Sequence, residues 1–251
     1  MIDIVNSIKN LKKKKSGSIV IVIERKIGDK MINKVMLSPS ILNVDKFKLH
    51  SYLSEIDSYT SYIHIDVMDG IFVPNKTDGI AMYKEVKRIE KKPLDVHLMV
   101  VDPIDEIDNY KDAGIITFHV ETIINPSNMR INLLEFDKIV KKIKSYGAKV
   151  GIAIKPRTTI SLLINLLDKV DNILVMTVEP GYGGQKLIPS TLDKINSLRK
   201  MGYKGIIEVD GGITTENAKE VIDRGANLIV AGTAIFGATD IKEAASKIVG
   251  E

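Results

Sequence analysis

From Met36 onward the chain repeats one unit eight times: a short apolar or β-branched run, then a segment of helical period. The runs are Met36–Leu37, Tyr62–Ile65, Leu94–Leu98, Ile115–Val120, Lys149–Ile154, Ile173–Val178, Ile206–Val209 and Leu228–Ala231. Runs this short, with little alternation, suit strands covered on both faces, as in a parallel sheet. The spacing predicts a helix over residues 45–57, with Phe47, Leu49, Leu53 and Ile56 on its apolar face. A second, Asn132–Tyr146, turns Leu133, Leu134, Phe136, Ile139, Val140 and Ile143 to one broad face, and Gly147 ends it. A third, Thr215–Arg224, is closed by Gly225. Asp102-Pro103 and Ile188-Pro189-Ser190 lead into helices, because proline suits a first helical turn. Eight such units in about 215 residues match the number and size of a (β/α)8 TIM barrel. Two doubly wound domains would need a linker and a second core, and this stretch shows no linker.

Residues 1–35 lie outside the repeat and form a short N-terminal extension ahead of a barrel domain at 36–251. The extension holds nine Lys/Arg against three Asp/Glu, so the +4 net charge of the chain belongs to it and the remainder is slightly acidic. Its densest part, Lys12–Lys15, reads as a solvated surface rather than a nucleic-acid or membrane patch. Ile4, Val5, Ile8 and Leu11 suggest a short helix, Ile19–Ile23 a strand, Ile27-Gly28-Asp29-Lys30 a turn and Met31–Val35 a return strand. No run approaches the roughly 18 apolar residues of a membrane span. The absence of cysteine removes disulfides, thiolate metal sites and a thiol nucleophile, and suits a cytoplasmic location.

In a barrel of this kind the C-terminal ends of the strands build the active site. His64 and Asp66 are two apart on one run and therefore share a face. With His97 and Asp210 they bring two imidazoles and two carboxylates to one mouth, a donor set for a single divalent ion such as Zn, Mn or Fe. One such histidine alone is more often a hydrogen-bonded core residue; four groups on three strand ends are harder to explain that way. His119 reads as a supporting or structural residue. Gly181, Gly183 and Gly184, then Gly211 and Gly212, then Gly232, follow three adjacent strands and expose backbone N–H groups where phosphate binds in many barrels. Each cluster alone is an ordinary tight turn, and their convergence is what favours a phosphate.

The segments Leu37-Ser38-Pro39-Ser40-Ile41-Leu42, His64-Ile65-Asp66-Val67-Met68-Asp69-Gly70, Leu94-Asp95-Val96-His97-Leu98-Met99-Val100, Met176-Thr177-Val178-Glu179-Pro180-Gly181-Tyr182-Gly183-Gly184-Gln185 and Glu208-Val209-Asp210-Gly211-Gly212-Ile213 resemble the ribulose-phosphate 3-epimerase family. The resemblance runs over residues 36–248 and implies interconversion of D-ribulose 5-phosphate and D-xylulose 5-phosphate by two-base proton transfer through a metal-stabilised enediolate. It implies His64, Asp66, His97 and Asp210 as metal ligands, with Asp66 and Asp210 doubling as the acid/base pair. By the same resemblance Ser38 would bond the sugar, and Met68, Met99 and Met176 would surround the reacting carbon. Gly181, Tyr182, Gly183, Gly184, Gly211, Gly212, Gly232 and Thr233 would hold the phosphate end. It further implies a homo-oligomer, dimer or hexamer. A six-carbon ketose phosphate such as D-allulose 6-phosphate, or a sugar-phosphate-binding barrel without catalysis, are the competing readings. Arg157 and Asp78 depart from the family pattern in loops near the site, and the extension has no counterpart in it.

Overall fold

The computed structural model describes residues 26–27, 30–31 and 35–251. The chain divides into two units, Met1–Asn33 and Lys34–Glu251. In the first, Lys26–Ile27 pairs antiparallel with Lys30–Met31. The helix expected around Ile4–Leu11 and the strand at Ile19–Ile23 lie outside the described residues.

In the second unit, the described residues contain a sheet of eight parallel strands: β1 (Met36–Pro39), β2 (Ile63–Met68), β3 (Leu94–Met99), β4 (Ile115–His119), β5 (Lys149–Ile154), β6 (Asn172–Met176), β7 (Ile206–Asp210) and β8 (Leu228–Ala231). Neighbours follow chain order from β2 to β8, and β8 pairs with β1. The remaining seam, between β1 and β2, is bridged at Leu37–Thr60 and Ser40–His64, with Ser61 N–H donating to Leu37 O at 2.8 Å. The result is a nearly closed barrel. Most strand residues are buried, since one face fills the interior and the other meets the helices.

Helices occupy the connections: α1 (Leu49–Ile56), α2 (Gly79–Ile89), α3 (Pro103–Glu106), α4 (Leu133–Ser145), α5 (Leu192–Lys200), α6 (Ala218–Asp223), α7 (Thr233–Phe236) and α8 (Ile241–Val249). Their ends follow side-chain chemistry. Asn132 accepts from Glu135 N–H, Asp78 from Ala81 N–H and Asp240 from Glu243 N–H, each satisfying a free donor of a first turn. Gly147 and Gly225 sit at φ +74° and +116° just beyond α4 and α6, where a side chain would be strained.

Three expectations change. The first helix starts at Leu49, and Phe47 is 99% exposed because it precedes the helix instead of facing the core. The apolar face of α4 begins at Phe136: Leu133 and Leu134 belong to its first turn and point outward. The third helix begins at Ala218, because Asn217 Oδ1 accepts from Thr214 N–H and holds residues 214–217 in a turn. In addition, the fifth connection carries a 3₁₀ turn, Ile160–Leu163, in place of an α-helix. Leu163 and Leu166 bury there with the three-residue spacing that such a turn stacks.

Candidate active site

The register of β2 against β3 builds the site. His64 stands beside Asp95, Asp66 beside His97 and Met68 beside Met99. These six positions alternate with Ile65, Val67, Val96 and Leu98, which face the helix layer. The inward side of this pair of strands therefore rises from a charged floor to a sulfur-lined rim. On the other side of the barrel, β7 contributes Glu208 and Asp210 with the same period, and Met176 of β6 stands beside Asp210.

Four of these groups converge. The ligand atoms of His64, Asp66, His97 and Asp210 lie within 4.8 Å of one another. Asp66 Oδ1 is 3.5 Å from His64 Nε2 and 3.4 Å from His97 Nδ1, and Asp210 Oδ2 is 3.9 Å from His97 Nδ1. His64 Nε2 and His97 Nδ1 are buried and have no hydrogen-bond partner. An unmet buried polar atom costs about 1–3 kcal/mol, so two of them aimed at two carboxylates require an explanation. A single divalent cation would satisfy both, and two nitrogens with two oxygens form a fitting donor set for it.

The opposite edge of each ring is anchored. His64 Nδ1 lies 2.7 Å from Asp95 Oδ2, which also accepts from Ser38 Oγ at 3.0 Å. His97 Nε2 lies 2.9 Å from His119 Nε2, and His119 Nδ1 lies 3.0 Å from Glu121 Oε2. Below the cluster, Glu208 bonds Asn172, whose amide also donates to Thr117.

The charges are unequal. Burial opposes ionisation of Asp66, but His64 and His97 outweigh it and hold the carboxyl far below its usual range. Burial, reinforced by the charge of Asp66, pushes Asp210 up to about 7. Burial and neighbouring Asp95 raise Glu208 to about 8. Burial lowers His97 to about 4, whereas His64 is raised because Asp95 and Asp66 overcome its desolvation. Burial would raise Glu121, but bonds from His119 and Thr158 bring it down to about 2.

Above the four groups opens a cavity of about 460 Å³, within the span of roughly 300–1,000 Å³ common to small-molecule sites. Met68, Met99 and Met176 line it, as do Gly181, Tyr182, Gly183, Gly184, Gly211, Gly212, Gly232 and Thr233. At Gly211 and Gly212, φ is +118° and +67°, and a Cβ would run into Val178 and into the backbone of Leu187. Only glycine lets these two loops approach so closely. Of the two residues out of family pattern, Asp78 caps α2 and Arg157 is almost fully exposed, 3.9 Å from Glu179.

Ser38 does not line the cavity. It is fully buried one layer lower, and its hydroxyl is committed to Asp95. Ser40, on the same face and two residues nearer the mouth, lines the cavity and donates to Asp66 Oδ2 at 3.0 Å. Asp95, Glu208 and Glu121 were also not singled out from sequence. Each is two residues from a selected group (His97, Asp210, His119), and the period that pairs His64 with Asp66 could have found them.

Comparison with known proteins places these features in a lineage. Residues 36–236 match the model of the ribulose-phosphate 3 epimerase family. The chain is 42% identical over 217 residues to the chloroplastic ribulose-5-phosphate-3-epimerase of Arabidopsis thaliana, covering 84% of this chain and 74% of that one. It is 39% identical over 224 residues to ribulose-phosphate 3-epimerase of Bacillus subtilis, covering 86% and 99%. Among solved structures, 3-hexulose-6-phosphate synthase from Salmonella typhimurium shares the fold at a TM-score of 0.64 and 17% identity, over 85% of this chain and 96% of that one.

Proposed function

Because the chain belongs to the ribulose-phosphate 3-epimerase family, we propose that it interconverts D-ribulose 5-phosphate and D-xylulose 5-phosphate. The observation that carries this reading is the pair Asp66 and Asp210, two carboxylates from separated strands whose oxygens converge on one cluster with His64 and His97.

Inverting a carbon beside a ketone requires loss of its proton and return of one to the opposite face. Asp66 takes the proton and Asp210 delivers one, and for the reverse reaction the roles exchange. The two titrate as a unit, since each shapes the other's charge. Ser40 orients Asp66 through its second oxygen. Met68, Met99 and Met176 exclude water from the planar enediolate and tolerate its electron-rich face. Backbone N–H groups of the loops at Gly181–Gly184, Gly211–Gly212 and Gly232–Thr233 hold the phosphate, positioning the sugar from its unreactive end. His64, Asp66, His97 and Asp210 would hold a divalent ion, which would supply Lewis-acid stabilisation of negative charge on the substrate.

The same reading includes a cytoplasmic enzyme that self-associates. Among the described residues no helix is long and apolar enough to cross a membrane. Leu134 and Phe47 leave apolar surface that a second copy would cover. The deciding experiment is a coupled assay on D-ribulose 5-phosphate with and without chelator, run beside D-allulose 6-phosphate. Chelator-sensitive turnover that favours the pentulose supports the proposal; preference for the hexulose, or no turnover with either, overturns it.

A further inference from the structure

His97 and His119 meet nitrogen to nitrogen inside the barrel, Nε2 to Nε2 at 2.9 Å, and both rings are fully buried. Such a contact needs one N–H and one lone pair, so the two rings must present opposite edges. The next group along decides which. His119 Nδ1 faces Glu121 Oε2 at 3.0 Å, and a carboxylate offers only lone pairs. His119 therefore carries its hydrogen on Nδ1 and leaves Nε2 bare. His97 must then donate from Nε2, which leaves its Nδ1 bare, and that is the unpartnered atom beside Asp66 and Asp210.

We propose that Glu121 and His119 are positioning residues that fix the tautomer of His97, keeping its Nδ1 free of hydrogen and aimed into the four-residue cluster. This rests on the reading of that cluster as a metal site and adds to it the device that prepares one of its nitrogens. His64 is prepared in the simpler way, by a carboxylate directly behind the ring.

Glu121 is itself fixed. Its Oε1 accepts from Lys155 N–H at 2.8 Å and from the Thr158 hydroxyl, both on the loop after β5. The ring of Phe72 lies against His119 with centroids 4.8 Å apart. A backbone N–H can only donate, so the atom in the place of Oε1 must remain an acceptor. This makes Glu121→Gln unusually informative. Its carbonyl has to take the Oε1 position, which turns the amide NH₂ toward His119 Nδ1. The chain then reverses: His119 donates from Nε2, and His97 is left with hydrogen on Nδ1, where it blocks the lone pair.

The test uses the full chain, metal-free and labelled with ¹⁵N-histidine, with imidazole ¹⁵N signals assigned through His50→Gln, His64→Gln and His119→Gln, His97 being the remaining set. Zn²⁺ affinity is measured separately by competition with a chromophoric chelator. The wild type should show His97 protonated on Nε2 and His119 on Nδ1. Glu121→Gln should exchange both assignments and weaken Zn²⁺ binding about 10–100-fold, the usual effect of losing an outer partner of a metal-bound histidine. Thr158→Val, which keeps the carboxylate, should alter neither. A wild-type His97 with hydrogen on Nδ1, or a His119 protonated on both nitrogens, overturns the proposal even if Glu121→Gln does not fold. So does a folded Glu121→Gln with wild-type tautomers or wild-type Zn²⁺ affinity. Wild-type protein with the stated tautomers but no Zn²⁺ binding upholds the relay and removes the metal reading instead.

Discussion

Asp66 stands opposite His97 in the β2–β3 register, with Asp66 Oδ1 3.4 Å from His97 Nδ1. One carboxylate oxygen thus faces both unpartnered imidazole nitrogens, while the other is held by Ser40.

Asp210→Asn should lower turnover at least about 10²-fold with the barrel intact. Removal of one acid/base group costs about 10²–10⁴ in rate. Asparagine keeps the volume of this side chain, which is partly open to the cavity, so the packing is retained. Steady-state assay beside a circular-dichroism melt checks this; near-normal kcat in a folded variant would contradict the assignment.

Stripping divalent ions should remove activity and also lower the melting temperature, because a cation bound only to the folded chain stabilises it. At 100 times Kd the gain is about 2.7 kcal/mol. Single readdition of Zn²⁺, Mn²⁺ and Fe²⁺ should restore both quantities together. Recovery of activity with no change in melting would separate the two effects.

The two serines should behave oppositely. Ser38→Ala removes a buried donor to Asp95 and should cost about 1–3 kcal/mol of stability, with a minor effect on KM. Ser40→Ala should leave urea unfolding near wild type and lower kcat/KM, because Asp66 loses the bond that orients it. The pair of unfolding curves and rate constants tests the depth assigned to each hydroxyl.

Asp69 ties the loop after β2 to the loop after β3. It accepts from Ile71 N–H at 2.7 Å, Phe72 N–H at 2.8 Å and Val101 N–H at 2.8 Å. Burial opposes its charge, but these donors outweigh it and hold the carboxyl below its ordinary value. A folded-state value below the unfolded one, about 3.9, gives stability that is complete above that pH and disappears as pH falls further. The wild type should therefore exceed Asp69→Asn in urea stability at pH 6, and the gap should narrow below about pH 4. A gap that is constant with pH would assign the effect to shape instead of charge.

The fold was legible because eight apolar runs and the helical periods between them are local properties, and because glycines such as Gly147 and Gly225 mark turns that other residues adopt only under strain. The inward faces were legible for the same reason: a two-residue period puts His64 with Asp66 whatever surrounds them. A period gives the face but not the height. Whether Ser38 or Ser40 reaches the cavity depends on the register of β1 against β8, which pairs Ser38 with Val230 and Pro39 with Ala231. Which ring nitrogen of His97 faces the carboxylates depends on His119 and Glu121, residues more than 20 positions away in the chain. The sequence alone determined the repeating elements and the residue types on each face. Register, depth and tautomer were decided only by the closed barrel, because each is fixed by a hydrogen bond to a partner brought close in space, which no local pattern encodes.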